Sequence, residues 1–388
     1  MTQTPVPQPS YSTADFDRAL ILALEVSEKS WVVAVHVPGL PGNKPRRTLF
    51  PTAEALMETV ENYRARAARA GKSVDRMVLV YEAGYSGFWL ARWLTRHGVE
   101  PFVIQPSSVP VERRVRRAKS DGIDAELLLR TFLAWLRGEP RVCSMVPIPS
   151  EEDEDARRCV RERQELVGER VAIANGITSI LATLGVRGYD ALRRDRRQRL
   201  EDLQTALGEP LPPQARAKIG RMLDRLELVL TQIAVLDRQR DVVVEEVAPG
   251  DAERMIQQLV RLRGIGVQSS TLLVREAFVR PFANGKALGA YAGLSPTPYS
   301  SGGTEREQGI GRAGNARLRT VLVELAWIWQ RYQPDSAVVG WFRDRLGGAA
   351  RRLRKVMVVA LARKLLIALW RFATQGVLPE GAVLKPAA

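Results

Sequence analysis

At 388 residues the chain is long enough for two or three domains with a substantial core, which excludes a peptide or a single small module. Its 58 Lys and Arg against 43 Asp and Glu, with only two His, give a formal net charge of +15. A polyanionic partner, nucleic acid first, is therefore expected, with an indifferent basic surface as the alternative. Two cysteines, Cys143 and Cys159, exclude a disulfide framework and a thiolate metal site and suit a reducing cytoplasm.

Residues 1–16, starting Met1-Thr-Gln-Thr-Pro, carry neither the charged nor the apolar region of a signal and are read as a short disordered arm. From Ala19 to Val26 and from Trp31 to Val37 aliphatic and β-branched residues flank a polar tetrad, which predicts a hairpin, and a third short strand is predicted over Thr48 to Phe50. A helix follows to about Ala70 with Thr52 as N-cap. The apolar run Met77 to Tyr81 predicts a buried strand, Gly84 and Gly87 precede a helix to about His97, Pro101 to Gln105 predicts another strand, and Asp121 to Arg137 is helical in period. Three strands, helix, strand, helix, strand, helix is the order of an RNase H-like fold, and other α/β domains share parts of it.

From Ser150 the texture changes. Glu151 to Leu184 and Gln214 to Val247 are long, charged and Leu/Ile/Val-periodic, joined by a Gly- and Pro-containing connector over 185–213. Leu223, Leu226, Leu230, Ile233 and Leu236 form a stripe that suits a coiled-coil arm, a second subunit or a helical layer on its own domain. Near Asp251 a third texture begins. The turn Leu262-Arg263-Gly264-Ile265-Gly266 resembles that of a helix-hairpin-helix, where glycine lets backbone approach phosphate, and equally suits an ordinary turn. Loop-rich stretches over 293–303 and 309–315 precede a helix from Ala316 to Arg331. From Ser301 to Ala388 there are 15 Lys and Arg against six Asp and Glu, which marks a phosphate-facing surface. The longest apolar stretch, Val356 to Trp370, is interrupted by Arg363 and Lys364 and is too short to span a bilayer, so no membrane partner is expected.

Four carboxylates carry the strongest chemical signal. Glu25 lies in an apolar strand and Glu82 at the end of another; in an RNase H-like sheet the first and fourth strands are neighbours, so the two would project toward one point. Asp121 and Asp124, three apart at a helix start, share a face. Such acids repel one another unless a divalent cation compensates them, and Mg²⁺ takes hard oxygen ligands. Alternatively, Asp121 caps its helix and Asp124 complements the dipole. Arg113, Arg114, Arg116, Arg117 and Lys119 run immediately before the acidic pair, as a phosphate backbone held against a metal requires or as a solvated charge run. A second candidate is Tyr299-Ser300-Ser301-Gly302-Gly303. With only His36 and His97 in the chain, a Ser-His-Asp hydrolase is poorly supported, and a serine attacking phosphate would need Arg, Lys or metal instead.

Leu24-Glu-Val-Ser-Glu-Lys29, Tyr81-Glu-Ala-Gly-Tyr85, Lys119-Ser-Asp-Gly-Ile-Asp-Ala125, the Arg-Gly-Ile-Gly turn, Pro298-Tyr-Ser-Ser-Gly-Gly303 and Gly314-Asn-Ala-Arg-Leu-Arg319 occur together in one order and spacing. In this the chain resembles, over about residues 17 to 375, the DEDD-type transposases of insertion-sequence family one-hundred-and-ten and its eleven-eleven subgroup, relatives of the Piv-type DNA invertases. The resemblance implies an α/β plus α architecture: a RuvC/RNase H-like mixed-sheet domain over 17–148, a coiled-coil helical arm over 149–250, and a mainly helical transposase domain over 251–388 with the helix-hairpin-helix-like turn.

It further implies a bacterial, cytoplasmic and nucleoid-associated site-specific recombinase that moves an insertion element and acts as a dimer or tetramer. Its implied partners are donor DNA, target DNA and a structured bridge RNA that pairs with both. Carried over motif by motif, Glu25, Glu82, Asp121 and Asp124 would bind Mg²⁺ or Mn²⁺. Ser301, or Ser300 in its place, would form a phosphoserine link to cleaved DNA. Arg263, Gly264, Gly266, Arg312, Arg317 and Arg319 would join the basic run in contacting nucleic acid. The family pattern usually has Asp where this chain has Glu25; Glu keeps the ligand type and adds a methylene. A junction resolvase or endonuclease that uses only the acids is the alternative enzyme, and a non-catalytic nucleic-acid-binding protein the alternative from another class.

Overall fold

The computed structural model describes residues 8–40, 46–84, 87–110, 121–139, 141–246, 250–301, 304–311, 314–347 and 351–386. The chain folds as two compact units, one ending at Ser150 and the other running from Glu151 onward.

The first unit contains α1 (Thr13–Phe16), β1 (Ala19–Val26), β2 (Trp31–His36), β3 (Arg46–Leu49), α2 (Ala53–Arg69), β4 (Arg76–Glu82), α3 (Trp89–Arg96), β5 (Glu100–Ile104) and α4 (Asp121–Leu136). Its five strands form one mixed sheet in the order β3-β2-β1-β4-β5. β1 pairs antiparallel with β2, with Leu24 opposite Val33, and parallel with β4, with Leu22 beside Leu79. Its unbroken Ala-Leu-Ile-Leu-Ala-Leu run is explained by burial on both faces, since a central strand with covered faces does not alternate in polarity. Leu20, Leu22 and Leu24 pack with Leu56, Val60 and Tyr63 of α2 and Leu90 and Leu94 of α3. Ala19, Ile21 and Ala23 pack on the other side with Leu128, Phe132 and Trp135 of α4. Thr52 caps α2, its hydroxyl accepting from the Ala55 amide at 3.2 Å.

Residues 8–16, expected to belong to a disordered arm, are anchored instead. Ser12 and Asp15 form a reciprocal capping box on α1, Tyr11 is buried in the core beneath α4, and its amide donates to the Leu136 carbonyl at 2.7 Å. The aromatic burial and non-local backbone bond offset the ordering cost that the polar composition suggested would dominate.

In the second unit, α5 (Glu151–Thr183) and α7 (Pro213–Glu246) pack as a long antiparallel pair joined through α6 (Arg196–Glu201). The predicted stripe is buried between them: Leu223, Leu226 and Ile233 are fully or nearly enclosed, while Leu230 and Leu236 pack at the margins. Arg163 of α5 makes a bidentate bond to Asp237 of α7 at 2.6 and 3.2 Å, fixing the register near the open end. The chain continues through α8 (Asp251–Val260), α9 (Val267–Leu273), a π-helical turn Val274–Phe278, α10 (Gly285–Tyr291), β6 (Pro296–Ser301), β7 (Thr304–Ile310), α11 (Ala316–Tyr332), α12 (Ala337–Leu346) and α13 (Arg351–Gln375). Leu259, Leu272, Leu322, Trp329, Leu361, Leu365 and Phe372 form its core.

The expected loop over 293–303 is in fact half of a β-hairpin. β6 and β7 pair antiparallel, with Tyr299 opposite Arg306 and Ser301 opposite Thr304, and an irregularity between Pro296 and Pro298. Its prolines and polar residues hid it, because proline is confined to strand edges and bulges. The Gly-Gly pair between two extended runs was the available signal. Where the hairpin leaves the helical body, two glycine backbones lie against each other: Gly293 has φ of +65°, and a Cβ on Gly314 would overlap the Gly293 nitrogen and Cα. No described helix is long and apolar enough to cross a membrane.

Phe132→Ala, which empties the centre of the α4 core, is expected to lower the stability of the first unit by about 3–5 kcal/mol in chemical denaturation. Gly314→Ala forces apart two backbones that no side-chain rotation can relieve; a loss of about 2–3 kcal/mol is expected. Gly266→Ala, with open space at the new Cβ and ordinary φ, is the control expected to change stability by less than about 0.5 kcal/mol.

Candidate active site

The geometry of the first unit brings the acidic positions to one end of one face. Glu25 and Glu82 lie at the carboxyl ends of the adjacent parallel strands β1 and β4, each one residue beyond the paired Leu24 and Tyr81. Glu25 stands opposite Val32 and Glu82 beside Ile104, and both neighbours belong to the core under α4, so both carboxylates issue on that face. α4 runs back along the sheet, its last residue bonded near the start of β1 through Tyr11, so its first turn with Asp121 and Asp124 lies toward the strands' carboxyl ends. Glu25, Glu82 and Asp124 are half-buried and Asp121 is exposed.

The donor set is chemically suited to a hard divalent cation, being all carboxylate, with Glu25 and Glu82 at the strand ends where α/β sheets bind ligands and Asp121 and Asp124 on the first turn of α4. Among the described residues, however, no three His, Cys, Asp or Glu side chains stand close enough together to hold one ion. The basic residues Arg113, Arg114, Arg116, Arg117 and Lys119 lie outside the described residues, as does Arg312. Both cysteines are free, and burial pushes the Cys143 thiol up to about 11, which removes it as a thiolate ligand.

In the second unit the turn between α8 and α9 is held by its carbonyls. Gln333 donates to the Arg263 carbonyl at 2.9 Å and Lys385 Nζ to the Ile265 carbonyl at 2.9 Å. Gly264 has φ of +85°, and a Cβ there would come within 3.0 Å of Tyr332 on α11, so its smallness serves packing inside the unit. Gly266 precedes α9 with open space beside it, and Arg263 is exposed. Arg317 pairs with Glu165 at 3.2 Å in an exposed geometry of little energetic weight. Arg319 lies against Gly293, and its Nη1 is buried without a hydrogen bond to any described residue.

Ser300 and Ser301 occupy the last two positions of β6, opposite Glu305 and Thr304. Beneath the foot of this hairpin is a polar network that sequence reasoning missed. Glu276, in the π turn, is wholly buried and accepts from Arg161 Nε and Nη2 at 2.8 and 3.2 Å and from Asn315 Nδ2 at 2.9 Å. Asn315 also caps α11, its Oδ1 accepting from the Leu318 amide at 3.0 Å, and its own amide donates to the Tyr291 carbonyl at 2.8 Å. The Tyr291 hydroxyl in turn donates to the Glu276 carbonyl at 3.0 Å. Burial pushes the Glu276 carboxyl up, but the Arg161 bonds and charge, helped by Asn315 and Arg157, outweigh it and hold the group below its ordinary range. An Asn directly before a helix is a readable cap signal; nothing in Val-Arg-Glu-Ala-Phe marks its Glu as interior, because the π turn shifts which residues face inward.

The family model described as the IS116/IS110/IS902 transposase family matches residues 256–338, a span that begins in α8 and includes the π turn, the hairpin and α11. A Sinorhizobium fredii protein named as a transposase, y4rJ, is 43% identical over 377 residues, 95% of each chain. A Pseudomonas aeruginosa protein named as a family 20 transposase is 30% identical over 300 residues, 76% of this chain and 82% of its own. The Yersinia enterocolitica transposase for insertion sequence element IS1328 is 27% identical over 307 residues, 77% of this chain and 84% of its own. Likeness of that extent takes in the acid-bearing sheet as well as the serine hairpin, and the chain belongs to the IS116/IS110/IS902 family of transposases.

Proposed function

We propose that this insertion-sequence transposase is an RNA-guided serine recombinase, in which the four acids hold a divalent cation and Ser301 attacks the DNA phosphodiester. The observation that carries the first part is the issue of Glu25 and Glu82 from adjacent strand ends on the face whose covering helix begins with Asp121 and Asp124. An RNase H-like reading of the sheet is supported by β1 and β4 lying side by side. Glu25, Glu82, Asp121 and Asp124 would hold Mg²⁺ or Mn²⁺, which when bound supplies Lewis-acid stabilisation of charge on phosphate oxygens. The strand and helix positions leave side-chain rotation as the way to close the set around the ion.

The serine part rests on Ser301 ending a strand beside the Gly302-Gly303 pair, with Ser300 as the alternative nucleophile. Attack by Oγ forms a serine oxygen–phosphorus bond as the phosphorus bond to one DNA oxygen breaks; the serine proton is given up and the departing DNA hydroxyl gains one. The ester conserves the phosphodiester's energy, so a second DNA hydroxyl can reverse the step without ATP. Exposed Arg263 at the Gly264 and Gly266 turn is suited to phosphate contacts, and Arg317, Arg319, Arg312 and the run from Arg113 to Lys119 would add further cationic contacts to nucleic acid. Base pairing by a bridge RNA would carry sequence choice, and a dimer or tetramer would serve the cutting and rejoining of two duplexes.

Protein, the RNA that copurifies with it, donor and target DNA and Mg²⁺ are expected to give a DNA-linked protein species that survives denaturation. Ser301→Ala should abolish it; persistence in both Ser301→Ala and Ser300→Ala would overturn the serine assignment, and free cleaved ends without adduct would favour a water nucleophile. Glu82→Gln should slow cleavage by at least about 100-fold, as loss of several kcal/mol of charge stabilisation requires, and EDTA should do the same to the unaltered protein. Guide sequences without complementarity to either DNA would sink the RNA-guided reading.

A further inference from the structure

The hairpin emerges from the helical body beyond Ala292 and Leu294, which are still buried in its core, and the chain rejoins that body at Asn315 before α11. Tyr291 and Asn315 are bonded to each other through the Asn315 amide and the Tyr291 carbonyl, and the Gly293 and Gly314 backbones touch just above them. Both are bonded to Glu276: Asn315 through its side-chain amide to the carboxylate, Tyr291 through its hydroxyl to the Glu276 carbonyl. Arg161, from the first third of the long helix α5, completes the carboxylate's coordination with two bonds. A buried ion pair is a poor way to gain stability, since apolar residues of similar volume usually do as well or better; what a fully satisfied one supplies is a single arrangement of its partners. Here the partners are the two ends of the hairpin segment.

From this geometry we infer that Glu276 is a positioning residue, which through Asn315 and Tyr291 fixes the foot of the β6–β7 hairpin and so the placement of its terminal serines for reaction. The inference rests on the reading of Ser301 or Ser300 as nucleophile. Glu276 is assigned no reacting atom; it acts through the two residues that clamp the segment.

Two variants separate this role from bulk stability. Glu276→Gln keeps the side chain's size while removing the charge that Arg161 and Asn315 address. Asn315→Ser retains a good helix cap and deletes the Nδ2 donor to Glu276 and, at 3.4 Å, to the Tyr291 hydroxyl, and it carries the same expectations if the first variant fails to fold. Hydrogen exchange should be roughly tenfold faster at amides of 294–311 while amides of α8, α11 and α13 away from the network keep their protection. Strand cleavage at saturating DNA should slow by roughly tenfold, with the DNA concentration for half-saturation within about twofold of the unaltered protein. Unchanged hairpin exchange, an unchanged cleavage rate, or faster exchange spread over the whole unit would each overturn the assignment. The exchange measurement does not depend on the serine chemistry. A local exchange effect together with adducts that persist in both serine variants would therefore leave the clamp standing and remove the nucleophile it was inferred to serve.

Discussion

The first unit depends on a central strand with no solvent-facing side. β1 is enclosed from Ala19 to Leu24 between two helical layers and paired along both edges, so every residue in that run must be apolar and of fixed size. Charge can enter only where the strand outruns its cover. Glu25 is that first position, and Glu82 is its counterpart on β4. The same apolar contacts that hold α4 to the sheet bring its acidic first turn toward that end. Burial therefore determines where polar chemistry can be assembled, before any interaction among the acids themselves.

The second unit meets a different constraint. A two-stranded hairpin is marginal by itself, and β6–β7 carries prolines that weaken its ladder. Its definition has to come from the foot, where two glycines permit backbone-to-backbone contact and Glu276 gathers both flanking residues. The carboxylate would cost several kcal/mol if unpaired in the interior, and the bidentate Arg161 and the Asn315 amide offset that cost.

Much of this was legible in the sequence, and the parts that were not share a cause. β1, β2, β4, α2, α5 and α7 follow from local periodicity, composition and caps, signals contained within a few turns or a strand length. The third strand begins earlier than expected because its pairing with β2, Val32 to Thr48 and Ala34 to Arg46, is set by its neighbour and not by its own Arg-rich start. Anchoring of Tyr11 depends on Leu136 and burial of Glu276 on Arg161, 115 positions away, and on a helix irregularity, none of which leaves a periodic trace, while the hairpin was hidden by its prolines. The long helical pair and the hairpin-bearing helices are linked through the bond from Arg161 of α5 to Glu276 of the π turn, a contact between residues 115 positions apart that no local pattern announces. The acids were readable as types and spacings; their common face required the register.

That register also bears on Glu25, where the DEDD pattern that the sequence resembles would have Asp. A strand slip could absorb the extra methylene, but β1 is locked on one edge by Glu25 opposite Val32 and Val26 opposite Trp31, and on the other by Leu24 beside Tyr81. A slip would break both ladders and move the buried Leu set out of its layer. The longer side chain would have to accommodate a proposed cation by rotation alone, with one more torsion to fix. Its cost is thus entropic and local, leaving the fold and the other three acids where the sheet and α4 hold them.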